Sequence, residues 1–272
     1  MARDPYQVFS RVYDQDVHLD VPRAFFRTLR PLIRAVRAGP PVLDLGCGSG
    51  LLTDRIAAAG ARVIGVDASR AMLARARERC ARHGGAVRLR ASDLAALRLA
   101  PRHTLAVACH DVLNHLPNEA ALRRVLASIR RALAPGGLLV FDALTEWAFA
   151  TYWPENTHLL EGPHGDLWMD CDWDAERRRG TVRMTAYVSD GRGRYTRHTA
   201  TLHEHAFSDR ELARALRAAG FGAVWRRPWS AWPAAGARPE RALWCGRVAG
   251  DGLADPLLHR LGFRRLRPGL KA

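Results

Sequence analysis

The stretch P-V-L-D-L-G-C-G-S-G-L-L, Pro41 to Leu52, decides the fold. A short apolar run, V-L-D-L, passes into a glycine-rich turn and then into L-L-T-D-R-I-A-A-A-G. There Leu52, Ile56 and Ala59 recur at helical spacing before Gly60. Such a turn lets backbone N–H groups and a helix N-terminus meet a polar or anionic ligand, and glycine permits the close approach. The dinucleotide fingerprint needs glycine at its first, third and sixth positions, but counting from Gly46 the sixth is Leu51. The phosphate-loop ending Gly-Lys-Ser/Thr is missing too. What remains is D-x-G-x-G-x-G. Its acid, Asp44, would repel a pyrophosphate but can hold a ligand amino group. Downstream, V-I-G-V-D reads as a second strand closed by Asp67, an acid suited to a ribose, that of NAD included.

Outward from this loop, short apolar runs alternate with helical patterns, the rhythm of βα units and a parallel sheet. S-R-A-M-L-A-R-A-R-E-R-C predicts a helix capped by Ser69. A-V-R-L-R-A-S-D and T-L-A-V-A-C-H-D predict strands, and L-L-V-F-D-A, after A-P-G-G, a buried fifth. After Thr145 the rhythm breaks. Residues 146–165 read as an irregular or short helical lid, and three period-two stretches follow as an antiparallel meander. Its second stretch puts Val182, Met184, Ala186 and Val188 on one face. Its third gathers Tyr195, Arg197, Thr199, Thr201, His203 and His205 on a polar face that is either solvent or a wet cavity. S-D-R-E-L-A-R-A-L-R-A-A-G then opens with a capping box, Ser208 with Glu211. Two further strands, A-V-W-R-R and R-A-L-W-C-G-R-V, complete the sheet.

Taken together, these motifs resemble the class I S-adenosylmethionine-dependent methyltransferases, of small-molecule type. V-L-D-L-G-C-G-S-G looks like that family's glycine loop and V-I-G-V-D like its ribose-binding strand end. A-S-D-L looks like its adenine contact, and the A-P-G-G turn and the late helix like their counterparts. The resemblance runs from about residue 40 to 250. It implies S-adenosylmethionine as cofactor, with Asp44, Gly46, Cys47, Gly48 and Gly50 around the loop and Asp67 and Ala68 at the ribose. Ser92, Asp93 and Leu94 would lie at the adenine, and Cys109 and His110 beside the methionine half.

The implied fold is α/β: a Rossmann-like, doubly wound, seven-stranded, mostly parallel sheet with an inserted antiparallel β cap and an N-terminal helical lid. The expected divisions are a lid over 1–39, a cofactor-binding core over 40–145, a substrate cap over 146–206, the rest of the core sheet over 207–250 and a basic tail over 251–272. In small-molecule members a Tyr-Asp pair lies over the cofactor, so Tyr13 would approach the methyl group and Asp14 would order the lid.

The sulfonium makes its methyl group electrophilic, so an enzyme of this class has mainly to bring an acceptor in line and exclude water. A base is needed only when the acceptor arrives protonated. The candidates are His110, His203 and His205. Trp147, Tyr152, Trp153, Trp168 and Tyr187 would wall the acceptor site. The H-E-H stretch puts His203 and His205 on one strand face with no third ligand at a usable spacing, so no metal is expected.

The net charge of +15 would ordinarily suggest nucleic acid, but it comes almost wholly from arginine spread over the chain, Lys271 being the single lysine. The base-methylating stretch N/D-P-P-Y/F/W is replaced by C-H-D-V, and Cys109 lacks the preceding proline of the cytosine-C5 enzymes. The expectation is therefore O- or N-methylation of a small molecule, with specialised metabolism as the setting. RNA methylation, which the basic end permits, and a non-catalytic cofactor-binding scaffold are the competing readings. With no apolar stretch of membrane length, no secretory leader and five scattered cysteines, the chain is expected in the cytoplasm, away from membranes. Its oligomeric state stays open, a homodimer being one option.

Overall fold

The structure is a computed structural model and describes residues 6–14, 17–233, 237–251 and 255–267. After α1 (Tyr6–Phe9) and α2 (Val17–Val36) come β1 (Val42–Leu45), α3 (Leu51–Ala58), β2 (Val63–Asp67), α4 (Arg70–Cys80), β3 (Val87–Ala91), β4 (His103–Ala108), α5 (Glu119–Ala132) and β5 (Leu133–Leu144). Next follow α6 (Glu146–Tyr152), β6 (Asn156–Leu160), β7 (Gly165–Asp174), β8 (Arg179–Ser189) and β9 (Tyr195–His205). The chain closes with α7 (Asp209–Ala218), β10 (Phe221–Trp229), β11 (Arg241–Val248), α8 (Asp255–Arg260) and β12 (Arg264–Arg265).

The main sheet runs β12-β10-β11-β5-β4-β1-β2-β3. Strands β1 to β5 are mutually parallel, whereas β11 lies antiparallel to both β5 and β10. All seven expected strands are present, and β12 adds a short rung beside Trp225 and Arg226. Every residue of β1 is buried, as a strand covered by helices on both faces requires. The chain order reverses between β1 and β4, so a crevice opens at their carboxyl ends, where ligands of such folds bind.

Local signals explain the helices. Asn118 accepts from Ala121 N at the start of α5, whose Leu122, Val125, Leu126 and Ile129 face the sheet. Ser208 and Glu211 form the expected capping box on α7.

Three segments differ from the sequence expectation. The described part of the N-terminal 39 residues does two jobs: α2 is a core layer, burying Phe25, Leu29, Leu32 and Ile33 with Trp225 and Trp229, while the segment around α1, with Pro22 of α2, covers the cleft. Phe9 and Val12 reach the cap instead, packing with Leu167, Val182 and Met184. The cap is a separate four-stranded sheet, β6-β7-β8-β9, with α6 and the extra strand β6 where a lid was expected. The carboxyl end is not a loose basic tail over its described residues. Leu258 and Phe263 are buried in the core, Arg227 Nη1 donates to Leu261 O at 2.6 Å, and Arg265 lies over the Trp225 ring. Arginine stems cover apolar surface while their heads find carbonyls, so a basic stretch can still fold.

Candidate functional site

The glycine loop is fastened to the end of β2. Gly46 N and Cys47 N donate to Val66 O, and Asp67 then accepts from Gly48 N through Oδ2 and from Ser69 N through Oδ1, each at 2.8 Å. Asp67 thus shapes the loop as well as lining the cleft beside it. Gly48, at φ +53°, has open space where a Cβ would project, and that space is the cleft. Gly50, at φ +82°, instead faces α4: an added Cβ would sit 3.1 Å from Ala76 Cα. Gly50 therefore closes the helix packing and does not line the cleft.

That cleft, about 350 Å³, is bounded by the other expected cofactor residues: Asp44, Gly46, Cys47, Gly48, Asp67, Ala68, Ser92, Asp93, Leu94, Cys109 and His110. Tyr6, Ser49, Met72, Val112 and Leu116 also contribute, none of them among the expected cofactor residues. Asp44 is buried, accepts from Thr53 Oγ1 at 2.6 Å, and has its carboxyl raised to about 7, chiefly by burial. Asp93 accepts from Ala95 N, which turns the chain so that Leu94 reaches the cleft. Burial pushes the Cys47 and Cys109 thiols well up, which leaves both as packing groups without nucleophilic character.

The N-terminal segment is latched over this loop. Asp14 accepts from Ser49 Oγ at 2.5 Å and pairs with Arg79, whose Nε donates to Ser49 O. Tyr13 lines the cleft with its ring edge-on to Tyr6, and burial holds its hydroxyl protonated. As a protonated phenol it offers a hydrogen bond.

Beneath the cap lies a second cavity of about 940 Å³. Of the expected wall aromatics, Tyr152 and Trp153 line it; Trp147 packs behind Tyr152, while Trp168 and Tyr187 face solvent. Trp229, at the end of β10, and Trp232, in the loop after it, complete the walls. The cleft and the cavity meet at His110, with Asp111 beside it on the cavity side. Both residues hold left-handed backbone, φ 73° and 50°. Non-glycine residues persist there only when their surroundings over-determine them. Here Asp142 accepts from His110 N at 2.7 Å and Asp111 N at 3.3 Å, while Arg241 Nη1 bridges Asp111 and Asp142 at 2.5 Å each. Burial lowers His110 to about 4, so its imidazole is neutral near pH 7.

The other histidines depart from expectation. His203 is exposed on the outer face of the cap, bonded to Thr181 Oγ1 at 3.1 Å, and lines neither space. His205 packs its ring on Phe207, 4.6 Å between centroids, outside both. The polar face of β9 is solvent, because Ala200, Leu202 and Glu204 are the residues that turn inward. Glu204, between the two histidines, is buried. Its Oε2 accepts from no donor, its carboxyl stands in hydrogen-bonding reach of that of Asp111, and burial and then the Asp111 charge raise it well above the usual range. His115 Nε2 lies 4.0 Å from Glu204 Oε1 and borders the cleft.

With this geometry in view, the likenesses to known proteins are informative. Residues 42–137 match the family described as "Methyltransferase domain". The ubiquinone biosynthesis O-methyltransferase of Methylococcus capsulatus is 37% identical over 108 residues, 39% of this chain. The match spans only 44% of that protein's length. An S-adenosylmethionine-dependent methyltransferase from Clostridium acetobutylicum superposes with a TM-score of 0.71 at 18% identity, covering 91% of this chain and all of that one. The SAM-bound amino pentose methyltransferase CalS10 of Micromonospora echinaspora gives 0.60 at 22% identity, covering 91% and 98%. The fold is that of class I methyltransferases.

Proposed function

We propose that this chain, which carries a class I S-adenosylmethionine-dependent methyltransferase domain, transfers the methyl group of that cofactor to an oxygen or nitrogen atom of a small molecule. The supporting observation is the junction: a cleft with the donor-binding loop and an aromatic-walled cavity meet at His110. The cofactor supplies the electrophilic methyl group. Asp44, at the loop's floor, receives the amino group of the methionine half, Asp67 the ribose hydroxyls, and Asp93 with Leu94 the adenine. The latch from Asp14 to Ser49 and Arg79 holds the N-terminal segment over the loop and keeps water from the donor.

In the cavity, Trp153, Trp229 and Trp232 bury the acceptor's apolar surface, so positioning supplies most of the rate. His110, neutral and at the junction, accepts the acceptor's proton through a ring nitrogen as the new bond forms. His203 and His205 take no part. The cavity has room for a small molecule, specialised metabolism is the setting on this reading, and no helix among the described residues is long and apolar enough to cross a membrane. The working compartment on this reading is the cytoplasm.

The test is incubation of the full chain with methyl-labelled S-adenosylmethionine and a panel of phenols, hydroxylated rings and amino sugars. Mass spectrometry should detect S-adenosylhomocysteine and a labelled product that depend on one acceptor class. Donor binding without turnover across the panel would point instead to the non-catalytic scaffold.

A further inference from the structure

We infer that Asp111, His115 and Glu204 form a binding site for one divalent metal ion at the junction of the cleft and the cavity. Their nearest ligand atoms, two carboxylate oxygens and one imidazole nitrogen, lie within 4.8 Å of one another. Ions of the magnesium and manganese type bind hard ligands at about 2.1 Å, so adjacent ligands of an octahedron stand about 3 Å apart and opposed ones about 4.2 Å. Side-chain movements on the order of 1 Å would close the set. Two carboxylates with one imidazole suit such ions better than a thiophilic one.

Three further observations point to a ligand here. Glu204 Oε2 accepts from no donor although Glu204 is only 6% exposed, and a buried carboxylate oxygen normally has a donor or an ion. Three carboxyl groups, those of Asp111, Asp142 and Glu204, share a single guanidinium, Arg241, whose hydrogen bonds go to the two aspartates. The scaffold is also rigid. His205 N donates to Asn114 O at 2.7 Å, Asn114 Nδ2 donates to His205 O at 3.0 Å, and Asn114 Oδ1 accepts from Leu144 N. Asn114 thereby fixes the neighbour of Glu204 against the neighbour of His115, bringing ligands from the cap and the core together. The H-E-H stretch serves a metal through its glutamate, with the two histidines turned outward.

The site deepens the methyl-transfer reading and rests on it for its chemistry. His115 borders the donor cleft and Asp111 the acceptor cavity, and three protein ligands leave about three positions of an octahedral ion open. An acceptor hydroxyl oxygen bound there loses its proton to solvent at lower cost. Its lone pair forms the O–CH3 bond, and the C–S electron pair returns to sulfur, so the sulfonium leaves as a neutral thioether. The inferred acceptor class is thus a hydroxyl compound, with a neighbouring oxygen able to take a second position.

The experiment uses the full chain stripped of metals by chelation, with Mn2+ as probe. Electron paramagnetic resonance follows free Mn2+ while calorimetry measures S-adenosylhomocysteine binding in the same samples. The expected result is one Mn2+ per chain, displaced by Mg2+, with at least tenfold weaker binding in Glu204→Gln and His115→Ala, and with the cofactor affinity of Glu204→Gln within threefold of the original. Glutamine keeps the shape of glutamate, and circular dichroism checks the fold of both variants. No Mn2+ binding at 1 mM of the ion, on the order of a hundredfold above a ~10 μM site, would overturn the inference, as would both variants binding like the parent. Cofactor binding without Mn2+ refutes the metal site alone; Mn2+ binding without the cofactor supports the site and refutes the donor reading.

Discussion

Replacing Asp67 by alanine is the sharpest perturbation of the donor site, because this carboxylate has two duties. It accepts from Gly48 N and Ser69 N at 2.8 Å each, and on the proposed reading it also receives two ribose hydroxyls. Hydrogen bonds to a charged group contribute about 1.5–3 kcal/mol each, so loss of the two ribose contacts nominally costs about 3–6 kcal/mol. Asp67 is only half-buried, and water will refill part of the gap, which brings the expected loss to about 2–4 kcal/mol. That corresponds to roughly 30- to 1000-fold weaker binding of S-adenosylhomocysteine. The loop amides are freed in the same variant, so its thermal midpoint should fall modestly. Asp67→Asn should be nearly as weak, since its amide group must present a donor to one of the two backbone donors. Calorimetric titration near neutral pH measures both. An affinity within threefold of the parent, in protein that circular dichroism shows folded, would refute the reasoning.

Asp44 sets a pH dependence. Its folded carboxyl is raised to about 7, so it adds stability that is full below its unfolded value near 4 and is lost as pH rises through 7. A cationic amino group needs the carboxylate, so cofactor affinity should fall by up to about tenfold per pH unit between pH 7 and 5.5, and Asp44→Asn should flatten that slope. A parent slope equal to the variant's would contradict this. Asp14→Ala releases the latch to Ser49 and Arg79 and should speed cofactor release about tenfold in stopped flow, with little change in thermal midpoint; an unaltered release rate would count against it. Arg241→Met strands Asp111 and Asp142 without a counter-ion and should cost about 3–5 kcal/mol, roughly 6–20 °C in calorimetric midpoint, so an unchanged midpoint would refute the buried triad. His203→Ala and His205→Ala should each stay within twofold of parent turnover, because both side chains lie outside the two cavities; a tenfold loss would restore them as candidate bases.

The parallel core was legible because each strand is a short apolar run buried on both faces, and the glycine turn between β1 and α3 because its parts are close in sequence. The phase of β9 was not. Alternation separates its odd from its even residues without saying which set turns inward, and histidines drew the reading to the odd set. The signal that could have corrected it was Glu204, a lone acid sharing a face with Ala200 and Leu202. Asp142 and Arg241 were hidden differently: each sits in an apolar strand run, and only the pairing of β5 with β11 brings them together. Strand β6 was missed because Asn156 and His158 carry little strand propensity. Segment α8 to β12 was obscured by arginines whose role is to bind carbonyls and cover Trp225.

The central claim is that the cleft beside Gly48, Asp67 and Asp93 holds S-adenosylmethionine and not a dinucleotide. Titration of the unaltered chain with S-adenosylhomocysteine and, separately, with NADH tests it most directly. The expected result is one S-adenosylhomocysteine per chain at micromolar affinity and no heat from NADH. Saturable NADH binding with no response to S-adenosylhomocysteine would contradict the account.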